Sequence, residues 1–226
     1  MSKRFTLIGL LMFVLATIAA PAARAQFASQ DVLAHAVQTV NDLKRDRAFG
    51  NAQQLIARSR AVMIVPRLYK AGFFFGGSGG EGVLMAKYGP RAWSAPAFFY
   101  IASASFGLQI GLQQSEMVLI ALTDRGRNAL LTNGFKFGAT ADIAVAMLGS
   151  SAEAATTTNA GADIVIWAST AGAYAGLTIN GSVVKPSPDH DQSYYGRPVT
   201  TREILSNRVR VPVSGARLRA DLSTVG

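Results

Sequence analysis

The sequence predicts a single α+β domain. Its centre is a mostly antiparallel, strongly curved β-sheet, barrel- or sandwich-like, with an N-terminal amphipathic helix and short connecting helices. Three observations predict it. Helical periodicity is concentrated near the start, where Leu33, Ala36, Val37, Val40 and Leu43 recur at three- and four-residue steps. From Ala61 onward the texture changes to short apolar runs separated by Gly, Pro and Asn. These runs do not alternate regularly with helices, which excludes a doubly wound parallel sheet.

The elements follow in order. Residues 29–49 form the amphipathic helix, with Asp31, Asn41, Lys44, Arg45 and Arg47 on its polar side and Gly50 as its stop. A second, short helix starts at Asn51, where Asn51 and Gln54 match a capping box. Buried strands are expected at 61–65, 73–75, 83–86, 97–102, 117–122 and 164–168. Residues 106–113 alternate strictly, with Phe106, Leu108, Ile110 and Leu112 on one face. Asn180-Gly181 marks a type I′ hairpin, because both turn positions require positive φ. Short helices are expected at 126–131 and at 188–195, the latter with Ser187 as cap, Pro188 at its first position and Gly196 as stop. Val209, Val211 and Val213 alternate with Arg208, Arg210 and Pro212, which reads as an edge strand. Glycines within the strand region, Gly76 to Gly80 among them, suit bends and bulges. Residues 150–159 are small and polar, an expected exposed loop.

The first 25 residues read as a leader rather than as fold. Lys3 and Arg4 precede an apolar stretch from Phe5 to Ala20, Pro21 breaks it, and Ala23-Arg24-Ala25 fits a signal-peptidase site. The expectation is residues 1–25 as signal peptide, residues 26–226 as the domain, and an exported protein of the periplasm or cell envelope, peripheral to the membrane.

Composition excludes several chemistries. The 226 residues contain no Cys, so thiolate catalysis, Cys-ligated zinc and disulfides are excluded. Two histidines, His35 and His190, leave little for a multi-His metal site. Gly76-Gly77-Ser78-Gly79-Gly80 matches G-x-S-x-G in form, and Ser78, Asp142 or Asp163, and His190 stand in the chain order of a hydrolase triad. A nucleophile elbow needs a helix after its Ser, whereas Glu81-Gly82-Val83-Leu84-Met85 reads as a strand, so a bulged turn is preferred. The same absence disposes of the G-x-G-x-x-G match at Gly77, Gly79 and Gly82. Asp189-His190-Asp191 cannot converge on one metal from adjacent helical positions. No cofactor and no metal is expected, and a binding module is preferred to an enzyme. A serine hydrolase using Ser78 and a structural envelope protein with a protein partner stay as alternatives.

Charge is the remaining lead. The chain has 22 Lys and Arg against 13 Asp and Glu, a net of +9, with charged residues at only 15%. Three of those charges, Lys3, Arg4 and Arg24, belong to the leader. Residues 26–70 carry a net of +4, residues 71–190 a net of −1, and residues 191–226 a net of +3. Two basic ends thus flank a neutral middle. Such ends attract phosphates, and each Lys or Arg near an anionic membrane contributes about 1 kcal/mol. Nucleic acid competes on charge alone, but export disfavours it. Phe73-Phe74-Phe75 and Phe98-Phe99-Tyr100 read as core rather than as inserting loops.

Several segments in a fixed order resemble one known family. They are Ala61-Val62-Met63-Ile64-Val65-Pro66 with Lys70-Ala71-Gly72-Phe73, the Gly run ending in Glu81-Gly82-Val83-Leu84, and Trp93-Ser94-Ala95-Pro96-Ala97-Phe98. Gly107-Leu108-Gln109-Ile110-Gly111, Gly138-Ala139-Thr140-Ala141-Asp142, Gly172-Ala173-Tyr174-Ala175-Gly176 and Tyr194-Tyr195-Gly196 follow. Together they resemble the SYLF-domain family, also described as lipid-binding and actin-bundling domains, over about residues 31–222. The resemblance implies phospholipid binding through an N-terminal amphipathic helix and basic residues. Carried onto this chain, the lipid-binding candidates are Lys44, Arg45 and Arg47 on the helix, with Arg58, Arg60, Arg67 and Lys70 beside it. For an exported protein the implied partner is an anionic phospholipid of the envelope.

Overall fold

The structure is a computed structural model, and it describes residues 27–45, 51–72, 75–106, 111–139, 142–147, 161–170 and 181–225. The expected leader, Arg47, Phe73-Phe74, residues 107–110, the 150–159 loop and residues 172–180 lie outside the described residues.

Nine strands form one open, curled, mostly antiparallel sheet. They are β1 (Ala61–Gly72), β2 (Phe75–Gly89), β3 (Ala92–Trp93), β4 (Ala97–Phe106) and β5 (Gly111–Ala121). The rest are β6 (Phe135–Lys136), β7 (Val145–Met147), β8 (Ile164–Thr170) and β9 (Val183–Pro186). The spatial order is β6-β9-β4-β2-β1-β5-β8-β7, with β3 paired to β2 off this path. Among the described strands only β7 and β8 pair in parallel. Six described helices accompany the sheet: α1 (27–45), α2 (Asn51–Arg58), α3 (Asp124–Leu131), α4 (Pro188–Tyr195), α5 (Thr201–Leu205) and α6 (Val213–Ser223).

The central strands are apolar on both sides because the sheet is covered on both faces. One face, with Val62, Ile64, Val83, Phe98, Val118 and Trp167, packs in one cluster with α1 residues Leu33, Val37 and Val40 and with Leu218 and Leu222 of α6. The other, with Met63, Val65, Leu84, Phe99 and Leu119, packs with Leu130 of α3 and with Ile204 and Leu205 of α5. Each central strand therefore sends alternate residues to two separate cores.

Pro66 stands in a central strand, where a proline removes a ladder bond, and the chain accommodates it with a bulge. Pairing shifts register between Ile64 and Arg67 on the β2 side and between Val65 and Leu68 on the β5 side. The bulge explains two glycines of the apparent motifs. A Cβ on Gly82 would stand 2.4 Å from the Ile64 carbonyl oxygen, and one on Gly80 would stand 2.5 Å from that of Arg67. Only glycine lets the β2 backbone approach so closely.

Two expectations need correction. Residues 107–110 of the alternating stretch 106–113 lie outside the described residues, and its two ends belong to strands that are not neighbours, Phe106 to β4 and Gly111 to β5. Residues 208–212 are not an edge strand, and a helix begins at Val213. Burial of Gly215, Leu218 and Leu222 at helical spacing outweighs the local Val alternation. Helix α4 matches the expected bounds, with Gly196 left-handed at φ 67°, but Ser187 makes no side-chain cap bond. Among the described residues no helix is long and apolar enough to cross a membrane.

Candidate functional site

Helix α6 lies against α1, and this contact brings the two basic ends of the chain together in part. Leu218, Leu222 and Val225 share a core cluster with Val32 to Leu43. At the far end of α1 the Lys44 ammonium donates to Thr224 Oγ1 at 2.8 Å and stands 4.0 Å from Asp221. Gln53 of α2 donates to the Lys44 carbonyl at 2.9 Å, so α2 butts against the same end.

A cleft of about 520 Å³ separates the exposed sides of α1 and α6. Leu33 and Val37 form its floor, and Val213, 91% exposed, stands on its wall. Gln38, Asn41 and Ser214 supply neutral polar groups. Arg45 from α1 and Arg217 from α6 line it together, and among the described residues no carboxylate does. Arg45 is 79% exposed and has only a loose pairing with Asp42 at 3.6 Å. An exposed pair of this kind is worth under about 1 kcal/mol and leaves Arg45 open to another anion. Cations beside an apolar floor suit an amphiphile with a negative head.

The other sequence-predicted cations are distributed differently. Arg58 and Arg60 are exposed at and just beyond the end of α2. Arg67 is engaged in an ion pair with Asp31 of α1. It borders a polar cavity of about 420 Å³ with His35, Asp42 and Glu116. Burial pushes the Glu116 carboxyl above its usual range, the Thr39 hydroxyl at 2.8 Å opposes this, and Asp42 adds to it. Lys70 is paired in register with Ser78 and Gln113 and shares the strand face of Leu68, opposite to that of Arg67. The six described candidates therefore do not form one patch: Arg45 faces the cleft and Lys44 ties its end, while Arg47 is outside the described residues. Arg217 and the α6 wall were missed because residues 208–213 read as a strand. The spacing of Gly215, Leu218 and Leu222 was the signal that identifies the helix.

The triad is not assembled. Ser78 lies within β2, not on a strand-to-helix turn, and its hydroxyl is 2.7 Å from that of Ser103. The His190 ring is 3.7 Å from Glu81 and stands edge-on to Phe98. Asp163 is buried beneath α3, accepting from Thr123 at 2.5 Å, from Arg125 at 3.1 Å and from the Ala144 N–H at 3.0 Å. Asp191 turns away from His190 and accepts the Phe98 N–H.

Comparison with known proteins places the chain in a family. The family model described as Ysc84, Las17-binding protein actin regulator, matches residues 102–225. "LAS seventeen-binding protein 3" of Saccharomyces cerevisiae is 30% identical over 177 residues, covering 75% of this chain and 38% of the yeast protein. "SH3 domain-containing YSC84-like protein 1" of Rattus norvegicus is 27% identical over 165 residues, 73% of this chain and 48% of the rat protein. The human protein of that name is 28% identical over 152 residues, 67% of this chain and 44% of its own. The chain thus spans less than half the length of these relatives. On the family match, the yeast identity and the motif order, the chain belongs to the Ysc84, or SYLF, family.

Proposed function

We propose that this protein is a non-enzymatic module that binds anionic phospholipid at a membrane surface of the cell envelope. The observation that carries the reading is the α1–α6 cleft, where Arg45 and Arg217 flank an apolar floor with no carboxylate among the described lining residues. The guanidinium forks would take lipid phosphate oxygens, which they match in bidentate geometry. Leu33, Val37 and the exposed Val213 would meet the first methylenes of the acyl region. The leader-like residues 1–25 support an envelope location.

Co-sedimentation with vesicles of graded phosphatidylglycerol content tests the reading. Binding rises with anionic content, weakens with salt, and falls in Arg45→Glu and Arg217→Glu. Equal binding to purely zwitterionic vesicles, or full binding by the double variant, defeats it.

A second reading is a protein partner at the same surface. Relatives named for binding Las17 favour it. Pull-down from delipidated envelope extracts that persists in the two Arg variants selects that reading.

A further inference from the structure

The C-terminal basic end does not go to one place. Helix α6 carries Arg217 to α1 on one face of the sheet, while α5 packs its Ile204 and Leu205 into the core of the other face. On that second face a cleft of about 310 Å³ opens between the end of β2, α3 and α5. Its floor is Ala86, Leu131 and Leu205. Its walls carry Arg127 from α3 and Arg202 from α5, with the hydroxyls of Tyr88, Thr201 and Ser206.

The polar groups here are unusually one-sided. Among the described residues no carboxylate lines the cleft. Arg202 is exposed, and among the described residues no carboxylate lies in ion-pair range of it. Arg127 reaches Asp124 at 3.2 Å and donates to Asn128 Oδ1 at 3.3 and 3.4 Å, long contacts within its own helix surface that a phosphate can replace. Burial raises the Tyr88 phenol pKa, and the nearby Arg127 charge opposes that rise only in part. Lys87 lends its stem only: its ammonium donates to the Ile56 and Ala57 carbonyls that end α2, and lies 5.2 Å from the Trp93 ring. Ser206 donates to the Glu203 carbonyl at 3.0 Å, which leaves its oxygen as acceptor. Two guanidinium forks with the Tyr88 and Thr201 hydroxyls offer more donors than the two oxygens of a carboxylate accept. They match the oxygens of a phosphate.

We propose that the cleft between β2, α3 and α5 binds a phosphate group, through Arg127 and Arg202 with Tyr88 and Thr201 as hydroxyl donors. The site is separate from the α1–α6 cleft and lies on the opposite sheet face, so it stands whether or not that cleft takes lipid. A phosphate of this size is carried either by a free phosphomonoester or by a lipid headgroup, and both meet the same donors.

The test uses the isotope-labelled mature chain and has two arms. In the first, glycerol 1-phosphate is titrated at low salt, and the amide resonances of Tyr88, Arg127 and Ser206 are followed. Saturable shifts are expected. They weaken by about tenfold or more in Arg202→Gln and in Arg127→Gln, the loss of a charged hydrogen bond. They persist in Arg45→Gln/Arg217→Gln. In the second, phosphatidylglycerol vesicles replace the soluble ester. If the soluble ester gives no shifts but Arg127→Gln/Arg202→Gln loses vesicle binding with wild-type circular dichroism, the ligand is the lipid-borne phosphate. Equal shifts with sodium chloride at matched ionic strength overturn the proposal. So does an unaltered response of the folded Arg127→Gln/Arg202→Gln variant in both arms.

Discussion

Asp191 of α4 accepts the backbone N–H of Phe98 in β4 at 2.8 Å, and its side chain is sealed from solvent. Its second oxygen has no hydrogen-bond partner among the described residues. Burial pushes this carboxyl up to about 7, and the single bond from Phe98 opposes the rise only in part. The bond docks α4 on the sheet beside Tyr194, which reaches Ser214 of α6 at 3.0 Å.

A pH dependence follows, and its sign is fixed by the raised value. The folded state holds the Asp191 proton to about pH 7, while the unfolded chain releases it near 4. Stability from this group is complete below about pH 4 and is lost as pH rises through about 7. Chemical denaturation at pH 5 and pH 8 measures it. Asp191→Asn, which mimics the protonated form, flattens that part of the profile. A profile unchanged by the substitution contradicts the assignment.

Asp163 titrates in the opposite sense. Burial raises its pKa, but the Thr123 hydroxyl, the Arg125 guanidinium and the Ala144 N–H together bring it below the usual aspartate range. Its stabilisation is present above the unfolded value and is lost as pH falls through the folded one. Asp163→Asn, which removes the anion that Arg125 faces, lowers stability at pH 7. The loss shrinks in acid. Urea titrations at pH 7 and pH 3 check this.

Gly215 holds α6 close to the fold. A Cβ there would stand 2.7 Å from the Tyr194 hydroxyl oxygen and 3.0 Å from Pro96 Cγ. Gly215→Ala is expected to cost about 1–3 kcal/mol through overpacking. Tyr194→Phe removes the crowding oxygen, so the double variant loses less than the sum of the two single losses. Thermal denaturation of the cycle measures the coupling.

Lys44 and Arg45 are neighbours with different duties. Lys44 is tied to Thr224 and Asp221, while Arg45 lines the open cleft. Vesicle binding at fixed salt therefore falls more in Arg45→Gln than in Lys44→Gln. Stability falls more in Lys44→Gln, by under about 1 kcal/mol for a partly exposed pair. The opposite ranking in sedimentation and denaturation would reverse the roles.

Much of the sheet was legible because apolar runs flanked by glycine and proline record burial directly. Ala61–Val65, Val83–Ala86 and Met117–Ala121 all fall in central strands. Helix α4 was legible because Pro188 fixes its own φ at the first helical position and Gly196 freely adopts the left-handed φ that ends the helix. Helix α6 was not, since Val211-Pro212-Val213 has the local character of a strand. Its helix is stabilised by Leu218 and Leu222 packing on α1, a contact about 180 residues distant in the chain. The bulge at Pro66 was expressed in the sequence only through the glycines opposite it, which the motif matches disguised.

The sequence by itself determined the architecture class, the family and the two basic ends. Those properties reside in residue type, periodicity and order, which need no partner to be read. Tertiary structure alone decided what the charges do. It paired Arg67 with Asp31, tied Lys44 to α6, and set Arg45 beside Arg217. It also sent Arg202 to the other face with Arg127. Charge is additive along a chain, but a binding site depends on which charges share a cleft and which are already neutralised. Only the packing of α5 and α6 against opposite faces of one sheet sets that.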